Sequence, residues 1–138
     1  MGHLAKQRDA SFFRVFFNPY HYGVLTVICS EVVDFVAEWR AYIRYGQVEG
    51  VRPYYGDWHF HYDPKIIENC LNDYENKPAG FSLDFGVTKK GETLLVEVNE
   101  GYSLAAYGLY DIRYAKLLAA RWAELTGTVD ECVFDLKN

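Results

Sequence analysis

The sequence predicts an α+β domain, an antiparallel β-sheet covered by helices. Three observations predict it. Two stretches, residues 36 to 55 and 81 to 101, each read as a pair of strands joined by a short turn. The only two segments with clear helical periodicity follow position 60. Strands linked by short turns pair antiparallel, and helices set beside such a sheet give a layered α+β arrangement.

Composition bounds the remaining possibilities. The chain has 138 residues, half of them apolar and 17% aromatic, which suits one globular domain with a proper core. The formal charge is −5, from fourteen basic and nineteen acidic residues, with no basic block, so nucleic acid is not an expected partner. No apolar run approaches the roughly 20 residues that span a bilayer, and MGHLAKQRDA lacks the apolar centre of a signal peptide. A cytoplasmic protein is expected. Cys29, Cys70 and Cys132 are odd in number and widely spaced, which suggests reduced thiols and no disulfide framework.

Taken in order, SFFRVFF at 11 to 17 reads as a short strand or the last turns of a helix, and Asn18 to Gly23 as a loop. Residues 24 to 29 read as a buried strand. The first hairpin pairs 36 to 45 with 47 to 55 and turns at Gly46-Gln47; Tyr42, Ile43 and Tyr45 in one arm and Val48 and Val51 in the other suit a pleated surface. His59-Phe60-His61 places two imidazoles on one strand face. With Cys70 they raise the idea of a zinc site, but the spacing fits no familiar pattern, and packed or exposed histidines are the preferred reading. Asp63-Pro64 opens a helix: the carboxylate caps free N–H groups, and proline at the first helical position gives up no hydrogen bond. Ile66, Ile67, Cys70, Leu71 and Tyr74 line one face of it, and Pro78 and Gly80 stop it. The second hairpin turns at Lys89-Lys90-Gly91-Glu92. A loop at 100 to 110 leads into a helix from Asp111 to Thr126, with Gly127 as its stop and Ile112, Leu117, Leu118, Trp122 and Leu125 facing the core.

The chemistry concentrates in the second hairpin, FSLDFGVTKKGETLLVEVNEG. Glu97 and Asn99 are two apart on a strand and share a face, and Asp84 can face them from the neighbouring strand. Two carboxylates and an amide oxygen form an oxygen-only set suited to Mg²⁺ carrying nucleotide phosphates. The competing reading is a solvated acidic face. Against it, Leu94, Leu95, Val96 and Val98 predict a covered strand, and a covered carboxylate needs a partner or a metal.

Asp84, a gap of thirteen, then Glu97-Val98-Asn99 resembles the C-terminal metal-binding hairpin of the ATP-grasp superfamily, with the gap of its D-alanine–D-alanine ligase-like members. The stretch LDFGVTKKGETLLVEVNEGYSLAAYGL, with the helix ending in ARWAELTGT, is similar to uncharacterised ATP-grasp domain proteins. Residues 24 to 45 add to the likeness. Glu31 and Glu38, seven apart, match an acidic hinge residue near adenine and a second glutamate on the ribose hydroxyls. The resemblance implies that backbone groups around Val32 and Val33 read the adenine edge. Arg40, two after Glu38 on the same face, is the implied catalytic group, its guanidinium meeting phosphate or acyl phosphate; a plain Glu38–Arg40 ion pair is the alternative.

The resemblance covers residues 24 to 127 well. It implies a division into residues 1 to 23, an extension or remnant of a missing lobe, and residues 24 to 138, the C-terminal lobe of an ATP-grasp domain. Lys6 is the only lysine before Glu31, and no glycine-rich loop precedes the hinge, so the chain looks like the second half of a longer enzyme. The implied function is Mg²⁺- and ATP-dependent ligation of a carboxylate to an amine through an acyl phosphate, with Asp84, Glu97 and Asn99 on the metal. The alternative is a non-catalytic nucleotide-binding or dimerisation module, partnered by a missing N-terminal lobe or a second copy. Lys89 and Lys90 read as solvated. A carbohydrate surface built from Tyr54, Tyr55, Trp58, Phe60 and Tyr62 is a weaker idea, since such clusters usually pack on sheets.

Overall fold

The computed structural model describes residues 32–134. From Phe35 onward these form one unit. The expected elements at 11 to 17 and 24 to 29, and Glu31, lie outside the described residues.

Four strands and two helices follow in order: β1 Phe35–Arg44, β2 Gln47–Gly56, α1 Pro64–Asp73, β3 Gly80–Thr88, β4 Thr93–Glu100 and α2 Asp111–Thr126. The sheet is antiparallel throughout, in the order β2-β1-β3-β4. The fold is α+β, as the paired strands predict. The first hairpin turns one residue earlier than expected. Tyr45 and Gly46 both carry positive φ, 46° and 73°, the two-residue geometry whose twist suits a tight hairpin. The second hairpin turns at residues 89 to 92, where Gly91 takes φ 81°.

Strand alternation divides the sheet into two faces. Ala41 and Ile43 of β1 and Phe81, Leu83 and Phe85 of β3 point to one face, where Ile67 and Leu71 of α1 cover them. Tyr42 lies on the other face and packs with Leu104 and Leu109 of the loop before α2 and with Leu117 of α2. The two helices therefore sit on opposite sides of the sheet.

The helix ends follow their capping chemistry. Asp63 accepts the Lys65 N–H at 2.9 Å, with Pro64 in the first turn. This helix stops at Asp73, ahead of Pro78, where Tyr74 leaves helical geometry and its N–H closes on the Cys70 carbonyl at 3.0 Å. Gly127 ends α2 in the left-handed conformation, φ 67°, and Thr128 N–H bonds the Ala123 carbonyl.

Two expectations about burial are corrected. Trp122 and Leu125 are exposed, although they fit the helical period of α2; its buried positions are Lys116, Leu117, Ala120 and Ala123. The helix lies so close over Gly80 that a Cβ there would meet the Leu117 carbonyl at 2.4 Å, which favours Ala120 and Ala123 on the inner side. Leu94, Leu95, Val96 and Val98 are also exposed, because β4 is the edge strand and α1 barely reaches it. His59-Phe60-His61 lies in a turn rather than a strand. His59 bonds Asp57 at 2.6 Å and His61 faces the Trp39 ring. Among the described residues no helix is long and apolar enough to cross a membrane.

Candidate functional site

The face that α2 covers at one end carries the polar side chains at the other. Register explains why. Arg40 of β1 stands opposite Asp84 of β3, and Asp84 stands opposite Glu97 of β4. Ser82, two residues before Asp84, stands opposite Asn99. Asp84, Glu97, Asn99 and Arg40 thus meet across three adjacent strands.

The contacts are specific. Arg40 Nε and Nη2 donate to the two Asp84 oxygens at 2.8 and 2.7 Å, a bidentate pair. Asn99 Nδ2 donates to Asp84 Oδ2 at 3.2 Å and to Glu97 Oε1 at 2.9 Å. Asp84 is buried at 1% exposure and Arg40 at 8%, whereas Glu97 lies at the open rim. Burial pushes the Asp84 carboxyl above its usual range, the Arg40 guanidinium pulls it down, and the neighbouring Glu97 pushes it up again. Arg40 is held firmly charged, chiefly by its hydrogen bond to Asp84.

Glu38 does not pair with Arg40. Its carboxylate accepts the Tyr54 hydroxyl at 2.7 Å, and burial together with that bond holds the Tyr54 phenol well above its ordinary value. Glu38 nevertheless shares the face and lies one pleat from Arg40. Val32 and Val33 precede β1 in irregular backbone.

Sequence reasoning places neither Tyr54 nor Tyr107 at this site; it reads Tyr54 only as part of an aromatic cluster and does not single out Tyr107. Their rings stack with centroids 5.0 Å apart, and the Arg40 guanidinium lies 5.6 Å from one and 5.0 Å from the other. Tyr54 is the extra residue of a β-bulge, since Glu38 pairs with Tyr55 and Trp39 with Pro53. Tyr107 sits on the 101 to 110 loop with φ 43°, next to Gly108 at φ 78°. That loop is pinned. Tyr42 donates to the Ala105 carbonyl at 2.6 Å, Arg52 to the Gly108 carbonyl at 3.0 Å, and Tyr114 to the Leu104 carbonyl. Leu109 lies so close to Gly50 that a Cβ there would meet it at 2.8 Å. No sequence period announces a bulge or a loop apex; the signal available was the aromatic cluster that begins at Tyr54.

Another bulge follows Asp84: it pairs with Glu97, Phe85 pairs with Leu95, and Val96 is left over. Beyond it, a Cβ on Gly86 would overlap the Phe35 ring at 2.2 Å, so the missing side chain lets Phe35 lie flat on the sheet beside the site. Among the described residues no three Asp, Glu, His or Cys side chains gather in a metal-binding arrangement, which also removes the His59–His61–Cys70 idea. A cation at the hairpin would rely on two carboxylates and an amide. The hard oxygen donors fit Mg²⁺, and an amide can turn its oxygen to the side where its nitrogen now lies.

A family profile described as an ATP-grasp domain, the second family of its clade, matches residues 14–117, well over half of the chain. The chain belongs to that family. It is therefore an ATP-grasp domain, a nucleotide-binding fold, and the four-stranded antiparallel sheet with two helices agrees with an ATP-grasp lobe. No curated protein and no solved structure matches it significantly. The matched span of this ATP-grasp domain includes Arg40, Tyr54, Asp84, Glu97, Asn99 and Tyr107.

Proposed function

We propose that this ATP-grasp domain binds Mg²⁺-ATP at the Arg40–Asp84–Glu97–Asn99 face and is part of an ATP-dependent carboxylate–amine ligase. The observation that carries the proposal is the convergence of those four side chains from three strands on one patch. Asp84, Glu97 and Asn99 would hold the cation, which when bound neutralises phosphate charge. Arg40 favours the ionised form of Asp84, holds it in place, and would be the cation of β1 that meets phosphate oxygens. Glu38 presents an acceptor suited to ribose hydroxyls, with Tyr54 fixing its orientation. The backbone at Val32 and Val33, with Glu31, would read adenine.

In the reaction a substrate carboxylate oxygen attacks the γ-phosphorus and ADP leaves. The amine then attacks the acyl carbon, and inorganic phosphate leaves. Phosphoryl transfer of this kind is mainly positioning and charge neutralisation, which is what a buried arginine beside a carboxylate set supplies. The stacked Tyr54 and Tyr107 rings lie against the Arg40 guanidinium and would help to hold it in place.

Thermal unfolding with ADP, with and without Mg²⁺, tests the proposal. Wild-type protein should gain several degrees only when both are present, and Glu97→Gln should lose that gain while keeping the metal-free melting temperature. An equal Mg²⁺-dependent gain in Glu97→Gln would refute the ligand assignment.

A further inference from the structure

Tyr107 is an anomaly of the 101 to 110 loop. It is a large residue held at positive φ, 43°, where glycine sits without strain. Its ring is not part of the core, for the residue is 42% exposed. Side-chain donors from Tyr42, Arg52 and Tyr114 nevertheless grip carbonyls on both sides of it and keep the backbone in that conformation. Core packing gives no reason for a tyrosine here, so the reason lies in what its ring touches.

The ring has two charged or polar neighbours. The Arg40 guanidinium lies 5.0 Å from its centre, and Tyr54 stacks on it at 5.0 Å with the planes 19° apart. Tyr54 is the unpaired residue of the β2 bulge, so no register partner steadies it. Its ring is steadied instead by the Tyr107 stack and by Arg40, 5.6 Å away. From that position its hydroxyl donates to Glu38 Oε2 at 2.7 Å. Oε1 of Glu38 is left as the acceptor with no protein donor among the described residues. A chain of direct contacts therefore runs from Tyr107 through Tyr54 to Glu38.

We propose that Tyr107 is a positioning residue for ribose recognition: its ring braces Tyr54, Tyr54 orients Glu38, and Glu38 accepts from the sugar hydroxyls. This rests on the reading of Glu38 as the ribose acceptor. Hydrogen bonds to a carboxylate are directional, so a carboxylate free to swing discriminates less between a sugar that carries hydroxyls and one that lacks them.

The test is calorimetric titration, with Mg²⁺ present, of ADP and of dideoxy-ADP, which lacks both ribose hydroxyls. The quantity read is the ratio of the two affinities. Wild type should favour ADP by roughly ten-fold or more, the scale of a hydrogen bond to a charged group. Tyr107→Gly removes the ring and suits the positive φ, and it should lower that preference by roughly three- to ten-fold, the scale of a lost aromatic stack. Tyr107→Phe keeps the ring and should keep the wild-type ratio. Tyr54→Phe keeps the stack but removes the donor to Glu38; it should lower the ratio as well, and it carries the comparison if the glycine variant does not fold. Adding Tyr107→Gly to Tyr54→Phe should lower the ratio no further, since the two residues act as one unit. A tyrosine that only stiffened the loop would weaken both nucleotides alike and leave the ratio untouched. A wild-type ratio in Tyr107→Gly, or losses that simply add with Tyr54→Phe, would overturn the role of Tyr107 while Glu38→Ala still abolished the preference. If Glu38→Ala keeps the wild-type ratio, or wild type binds both nucleotides equally, the ribose reading itself fails, and the role of Tyr107 falls with it.

Discussion

The two arms of the second hairpin differ in a way opposite to their hydropathy. β3 carries Ser82 and Asp84, yet every residue from Gly80 to Thr88 is buried. β4 carries Leu94, Leu95, Val96 and Val98, yet all four are exposed. Position in the sheet decides the matter. β3 is flanked by β1 and β4 and roofed on both faces, while β4 is the edge. The same contrast divides the two acids. Asp84 is held inside by Arg40, and Glu97, its register partner, sits at the rim. A buried anchor beside a solvent-accessible ligand is a workable design for a site that must keep its shape and still admit a cation.

The sharpest way to break the comparison is to remove each acid in turn. Asp84→Ala leaves the buried Arg40 guanidinium without its bidentate partner. Loss of one half of a buried pair costs about 3–5 kcal/mol, so unfolding by urea should shift strongly. Glu97→Gln should change stability by no more than about 0.5 kcal/mol, as exposed substitutions usually do. Similar losses in both variants would mean that the two carboxylates are not divided into anchor and ligand.

Much of this was legible beforehand for identifiable reasons. Asp63-Pro64, Gly127 and Gly91 have local conformational preferences that act regardless of the rest of the chain, and the elements they delimit lie where expected. The Asp84, Glu97 and Asn99 convergence needed only a period of two and a short turn. What was not legible depends on neighbours distant in sequence. Whether Trp122 or Ala123 faces the sheet depends on how much room α2 has above Gly80, where a Cβ would strike the Leu117 carbonyl at 2.4 Å. Whether Leu95 is covered depends on the reach of α1. Asp84 as the partner of Arg40 was not foreseen for the same reason: the alternative reading paired Arg40 with Glu38 on its own strand face, but Asp84 lies directly across on β3 and takes both of its donated hydrogen bonds.

A second buried acid sharpens the electrostatic side of the comparison. Asp130, 8% exposed, ties the segment after α2 to the first hairpin, accepting from Arg44 at 3.1 Å and from the Tyr45 hydroxyl at 2.9 Å. Burial works against its charge, but hydrogen bonds from the Cys132 N–H, Tyr45 and Arg44 outweigh it, and its carboxyl lies below the ordinary value. A folded pKa below the unfolded one gives stability that is present above about pH 4 and lost as the pH falls through the folded value. Urea midpoints measured from pH 6 down to pH 2.5 should therefore fall less steeply in Asp130→Asn than in wild type. An identical acid limb in the two proteins would remove Asp130 from the balance.

The smallest expected effect tests the exposed arm directly. Val98 stands opposite Leu83 in the register, and the two are 45% and 1% exposed. Val98→Lys places a charge on an edge strand, where lysine is tolerated and its stem can lie along neighbouring apolar surface. The urea midpoint should move by no more than about 0.5 kcal/mol in stability terms. A loss of about 2 kcal/mol or more, the scale of a desolvated charge, would show β4 covered after all and return its apolar run to the interior the hydropathy suggests. Light scattering on the same variant adds a second reading. If the exposed valines and leucines drive self-association, one lysine among them should lower the apparent mass at high protein concentration. A monomer in both proteins would leave the apolar side chains of the edge strand as plain solvent-facing surface.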